Sequence, residues 1–124
     1  MGKDAVEKRA RQILDSTSQK SSHRRCFLLR VKPERLDEYL DVHQAVWAEM
    51  RQALTEAGWR NYSLFVQVET GMVVGYYEAE DVAEADRAMA AKEVNTRWQA
   101  EMAQYFVQPN GGTNKVLPQY FYLP

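Results

Sequence analysis

Residues 58–79 read GWRNYSLFVQVETGMVVGYYEA, and the alternation of side chains in this stretch decides the fold. In 59–69, Tyr62, Leu64, Phe65, Val66 and Val68 supply ring, aliphatic and β-branched bulk, and 72–79 repeats the pattern after the connection Glu69-Thr70-Gly71. Such residues suit a pleated, half-buried surface, and a short glycine-bearing connection joins antiparallel partners, so a hairpin is predicted.

Working outward, the residues before the hairpin have a helical period. Leu36, Tyr39, Leu40, His43, Val46, Trp47, Met50 and Leu54 recur at steps of three and four, with Pro33 in the first turn and Gly58 as a left-handed stop, which predicts one long helix. Before it, RCFLLRVK (25–32) places Phe27, Leu29 and Val31 on one face and Cys26, Leu28 and Arg30 on the other, as a mostly buried strand does. After the hairpin, Asp81 and Glu84 form a capping pair for an Ala-rich helix over 82–106, with a break expected near 92–95. A loop, QPNGGTNK, then leads to VLPQYFYLP (116–124), a final strand that Pro118 confines to an edge or a bulge.

The order strand, helix, strand, strand, helix, strand is the ferredoxin-like split βαβ arrangement. The predicted fold is therefore α+β, a four-stranded antiparallel sheet with both helices on one face. The other face is left apolar and uncovered, and a second copy of the chain is its simplest cover, so a homodimer is expected. Residues 1–24 are read as an extension, partly helical or flexible, with Val6, Ile13 and Leu14 on one side of a short helix, and residues 25–124 as the domain.

With 124 residues, 45% hydrophobic and 27% charged, the chain has the composition of one ordinary globular domain. Its formal net charge of -1 provides no field for phosphates or acidic lipids, so neither nucleic acid nor a membrane is an expected partner. Cys26 is the single cysteine and reads as a buried small hydrophobe in a reducing compartment. No secretory h-region or membrane-length apolar run is present, and a cytoplasmic protein is expected.

Tyr39, His43 and Trp47 are spaced by four, which lines them along one face of the predicted helix. Imidazole can take and give a proton near neutrality, while phenol and indole each join a polar tip to an apolar plate. Periodicity alone fits a core histidine satisfied by a backbone carbonyl better than it fits a catalyst. Other chemistries lack their residues. The second histidine, His23, has no metal-ligand spacing with His43, and Gly58, Gly71, Gly75 and Gly111-Gly112 form no phosphate cradle, so neither metal nor cofactor is expected. Glu78 and Glu80 read as a solvated strand end, and no GxSxG elbow occurs.

VKPERLDEYLDVHQAVWAEM, GWRNYSLF, NTRWQAEM and the terminal YFYLP resemble, in that order, the L-rhamnose mutarotases, over about residues 25–124. The resemblance implies a dimeric α/β barrel that interconverts the α and β anomers of L-rhamnose or a similar deoxyhexose without metal or organic cofactor. It implies His43 as the proton donor and Tyr39 and Tyr62 as sugar contacts, and it marks Asn61, Trp47, Trp98 and Gln99 as further substrate-binding positions. Where family members often carry paired tryptophans, this chain has Trp98 followed by Gln99, an amide suited to bonding a hydroxyl where a ring would stack.

Two other readings of the same residues compete with an isomerase. A cofactor-free monooxygenase-like enzyme of this architecture would clamp planar aromatic substrates between the rings. A non-catalytic binding module would have a backbone-bonded His43 shut away from solvent and no cavity beside Tyr39 and Tyr62.

Overall fold

The computed structural model describes residues 2–17, 21–107 and 115–124. Four strands, β1 (Arg24–Arg30), β2 (Arg60–Gln67), β3 (Met72–Glu78) and β4 (Lys115–Leu117), form one antiparallel sheet in the order β2-β3-β1-β4. This is the split βαβ order expected from the sequence.

Register assigns the two faces. Leu64, Gly75 and Phe27 share one row, and Val66, Val73 and Leu29 the next, all on the helix side. Phe27, Val73 and Tyr77 there are almost fully buried. Gly75 is required in that row, because a Cβ at this position would lie 2.2 Å from Cζ of Phe27, whose ring crosses the strand there. On the other face the rows are Phe65, Val74, Leu28, Lys115 and Ser63, Tyr76, Cys26, Leu117, and among the described residues no helix covers them. Cys26 is accordingly half-buried rather than a core residue.

The helical side differs from expectation in one respect that shapes the site. In place of one long helix, α2 (Leu36–Val42) passes through a single 3-10 turn at His43–Ala45 into two extended residues, Val46 (ψ 135°) and Trp47 (ψ 133°), before α3 (Ala48–Glu56) begins. Tyr39, His43 and Trp47 are therefore not on one continuous helix face. No proline or glycine causes the break. Instead the β-branched Val46 disfavours helix, Trp47 turns away to meet the ring of Trp98 edge-on at 4.9 Å, and the freed Val46 carbonyl accepts from Nε of Arg51 at 3.2 Å.

The second helical segment divides as the sequence suggested, into α4 (Val82–Ala90) and α5 (Glu93–Met102). The Asp81 carboxylate caps α4 by accepting from the amides of Ala83 and Glu84. The final strand is shorter than expected: β4 ends at Leu117, because Pro118 has no N–H to extend the ladder. Tyr120, Phe121 and Leu123 beyond it are exposed. Residues 108–114 of the expected loop 108–115, including Gly111-Gly112, lie outside the described residues, and its last residue, Lys115, opens β4. At the other end, α1 (Lys3–Ser16) buries none of its residues, and Val6 and Ile13 face solvent. Among the described residues no helix is long and apolar enough to cross a membrane.

Candidate active site

A cavity of about 530 Å³ opens between the β2 side of the sheet and the α2, α3 and α5 segments. Leu64 and Val66 point to the helix side yet each stays 37% exposed, since the cavity, not a helix, lies over them. A deoxyhexose-sized ligand fits a volume of this order.

His43 stands on its wall, half-buried. Its Nδ1 lies 2.9 Å from the carbonyl oxygen of Tyr39, and since a carbonyl can only accept, Nδ1 carries the hydrogen in the neutral ring. Nε2 is then left with a free lone pair. The imidazole is tilted over the Tyr39 ring at 4.3 Å and meets the Trp98 ring edge-on at 5.4 Å. Burial lowers its pKa below the ordinary value, and the bond to Tyr39 opposes this only partly, so the neutral, proton-accepting form dominates near pH 7.

Two phenols share the cavity with it. Tyr39 packs edge-on against Tyr105 and Phe106, both at 6.0 Å, and burial raises its pKa to about 12. Tyr62, arriving from β2, is raised as well, first by burial and then by the mutual opposition of the Tyr39 and Tyr77 phenols to its ionisation. Both hydroxyls remain protonated donors through neutral pH.

Trp98 and Gln99 complete the list of expected residues on the wall, and Gln99 donates from Nε2 to Oδ1 of Asn95 at 3.2 Å. Two expected residues are elsewhere. Trp47 backs Trp98 without lining the cavity, and Asn61 turns its amide away from it, to the Glu78 carboxylate. Glu78 itself accepts from Tyr76 and Asn61, away from the cavity.

Other lining residues had no expected role. The Trp59 ring stacks on Tyr77 at 3.6 Å and its Nε1 donates to the Ala85 carbonyl at 3.2 Å. Asp86 lines the same cavity while its carboxylate accepts from Arg25 and from the Tyr77 hydroxyl. Nothing in the local sequence signals these two, which are assembled from separate elements. Asn95 was legible in principle, one helical turn before Gln99. The cavity and the half-open His43 remove the geometry expected of a plain core histidine, although the backbone bond foreseen for one is present.

A family model described as L-rhamnose mutarotase matches residues 24–123. The L-rhamnose mutarotase of Bacillus subtilis (strain 168) is 36% identical over 103 residues, 81% of this chain and 97% of that protein. That of Tolumonas auensis is 34% identical over 104 residues, again 81% of this chain and 97% of that protein. Among solved structures, the L-rhamnose mutarotase FA22100 from Formosa agariphila superposes with TM-score 0.71 at 24% identity, over 83% of this chain and all (100%) of that one. An antibiotic biosynthesis monooxygenase superposes with TM-score 0.56 at 25% identity, over 82% of this chain and 98% of that one, a likeness of fold.

Proposed function

The chain belongs to the L-rhamnose mutarotase family of isomerases, and on that premise we propose that it interconverts the α and β anomers of L-rhamnose or a similar deoxyhexose at the cavity beside His43. The observation that carries this reading is the imidazole anchored through Nδ1, which leaves the Nε2 lone pair for a ligand, in a cavity that two protonated phenols also line.

Ring opening moves one proton from the anomeric hydroxyl O1 to the ring oxygen O5. Nε2 of neutral His43 accepts the O1 proton, the C1–O5 bond breaks as the C1 carbonyl forms, and the imidazolium returns the proton to O5. Because O1 and O5 are bonded to the same carbon, one nitrogen serves both in succession. Rotation about C1–C2 and the reverse sequence close the ring on either face. The low basicity of buried His43 makes its imidazolium a stronger acid for the second transfer. Tyr39 and Tyr62 hold the hydroxyls, Trp98 supplies an apolar plate for a C–H face, and Gln99 offers an amide to one further hydroxyl.

The reading extends to a homodimer. Phe65, Leu28 and Val74 line the uncovered sheet face, and the exposed Tyr120, Phe121 and Leu123 add apolar surface that a second copy would bury. The lone cysteine and the sugar substrate fit a cytoplasmic setting.

Saturation transfer between the α- and β-H1 resonances of L-rhamnose tests the activity. Wild-type protein should accelerate the exchange and His43→Ala should abolish most of it. Equal rates in the two proteins would refute the proton-transfer role, and a wild-type protein without effect on any deoxyhexose would refute the activity.

A further inference from the structure

Asn61 has φ 51°, and among the described residues it is the one non-glycine position with a positive φ. It sits where the β2–β3 ladder slips. Ser63 faces Tyr76 while Arg60 faces Glu78, so β2 spends one more residue than β3 over the same length. This is a β-bulge, with its left-handed position filled by asparagine, the residue after glycine that best tolerates it.

The extra residue changes which side chains reach the cavity. Trp59 and Tyr62 are three residues apart and would point to opposite sides of a regular strand. Across the bulge both reach the helix side, where the Trp59 ring stacks on Tyr77 and Tyr62 meets Trp59 edge-on at 5.0 Å. The bulge is fastened from the opposite face. Nδ2 of Asn61 donates to Oε1 of Glu78 at 2.7 Å, the Tyr76 hydroxyl donates to Oε2 of the same carboxylate at 2.5 Å, and Oγ of Ser63 donates to the Asn61 carbonyl at 3.2 Å. Each carboxylate oxygen thus has its own donor.

We infer that Asn61 and Glu78 are positioning residues that act through the bulge, setting Tyr62 and Trp59 into the cavity wall without touching the sugar. Neither lines the cavity. The Tyr76 hydroxyl and then the Asn61 amide hold the Glu78 carboxyl below the usual carboxylate range, so the clamp is ionised at neutral pH. The inference rests on the reading that Tyr62 contacts the substrate, and it gives the Asn-Tyr pair a division of labour, one residue shaping the strand and the next reaching the ligand.

The test exchanges the partners of the clamp. Asn61→Asp tolerates the same backbone but sets a second carboxylate against Glu78, and anomer exchange should fall about tenfold or more with a raised KM, since displacing a binding group by about an ångström has effects of that size. The double variant Asn61→Asp, Glu78→Gln restores the bond with its direction reversed, because the amide introduced on β3 would donate to the carboxylate introduced at the bulge and still accept from Tyr76. Exchange should return to within about twofold of wild type, a recovery that general damage to the strand does not predict. Near-UV circular dichroism of the stacked Trp59–Tyr77 pair, measured without sugar, should change in the single variant and recover in the double. Should Asn61→Asp lower stability, Glu78→Leu, which leaves the Asn61 amide and the Tyr76 hydroxyl without their acceptor, gives the single-variant comparison with the double. A single variant indistinguishable from wild type, or a double variant as impaired as the single, overturns the inference. If wild-type protein does not exchange the sugar, the dichroism still decides the role of the clamp; if it does and the single clamp variants exchange it at the wild-type rate, the clamp alone is refuted.

Discussion

Nδ1 of His43 lies 2.9 Å from the carbonyl oxygen of Tyr39, one helical turn back, and this contact fixes which ring nitrogen is available for chemistry. The Tyr39 carbonyl, which also accepts the backbone N–H of His43 at the C-terminal end of α2, supplies the acceptor. The imidazole is thereby oriented by its own element, and the Trp98 ring meets it edge-on at 5.4 Å.

Activity should depend on pH through this group. The neutral form accepts the first proton, and the folded protein lowers the pKa of His43, so kcat/KM should be level above the ordinary value of 6.5 and fall as pH drops through a midpoint lying below it. Protonated Tyr39, raised to about 12, gives no alkaline limb in the same range. A pH–rate profile of NMR exchange measures this, and a midpoint above 6.5 would contradict the burial of His43.

Tyr39→Phe and Tyr62→Phe each remove a hydroxyl and keep the ring. The ring contacts of Tyr39 with Tyr105 and Phe106 survive, so stability should change little while kcat/KM falls about five- to twelvefold, the effect of about 1–1.5 kcal/mol for one hydrogen bond. Urea midpoints and exchange rates on the same samples separate the two quantities.

Gln99→Ala should raise KM for a sugar that bonds the amide and leave kcat nearly unchanged, because the amide lies on the wall and not at the proton-transferring nitrogen. A fall in kcat with constant KM would place Gln99 among the groups that act in the transition state.

Gly75→Ala is predicted to destabilise the fold. The new methyl would meet the Phe27 ring at 2.2–2.7 Å, and overpacking of this kind costs about 1–3 kcal/mol, measurable as a lowered midpoint in urea unfolding. Phe27→Leu in the same chain should recover part of the loss.

The uncovered sheet face predicts assembly. Phe65, 62% exposed and in the row with Val74 and Leu28, is a large apolar group on the β2 edge of that face, and Phe65→Asp should shift sedimentation equilibrium toward monomer. Wild-type protein that sediments as a monomer at all accessible concentrations would count against the dimer.

Much of the fold was legible because burial imposes a period. The alternation of Phe27, Leu29 and Val31, and of the hairpin strands, identified the strands and separated their two faces, and Gly58 and Asp81 marked helix ends by backbone geometry and capping that are local to the chain. The break at Val46 and Trp47 was not legible. Its residues keep the helical spacing, and the helix yields there because Trp47 meets Trp98, which lies far along the chain on α5. The end of β4 at Pro118 shows the intermediate case, a local steric rule whose exact reach depended on the neighbouring strand.

For the proposed site, sequence by itself determined the proximity of its groups within one turn, Tyr39 and His43 at a spacing of four, and a tyrosine opening the second strand. Tertiary structure decided which of the remaining residues join them. Trp59 and Asp86 enter the wall, while Asn61 is turned to the far face by a bulge. The physical reason is that helical and strand periods are fixed by bonds within a segment, whereas a cavity is the space left between segments, and its lining depends on where distant side chains come to rest.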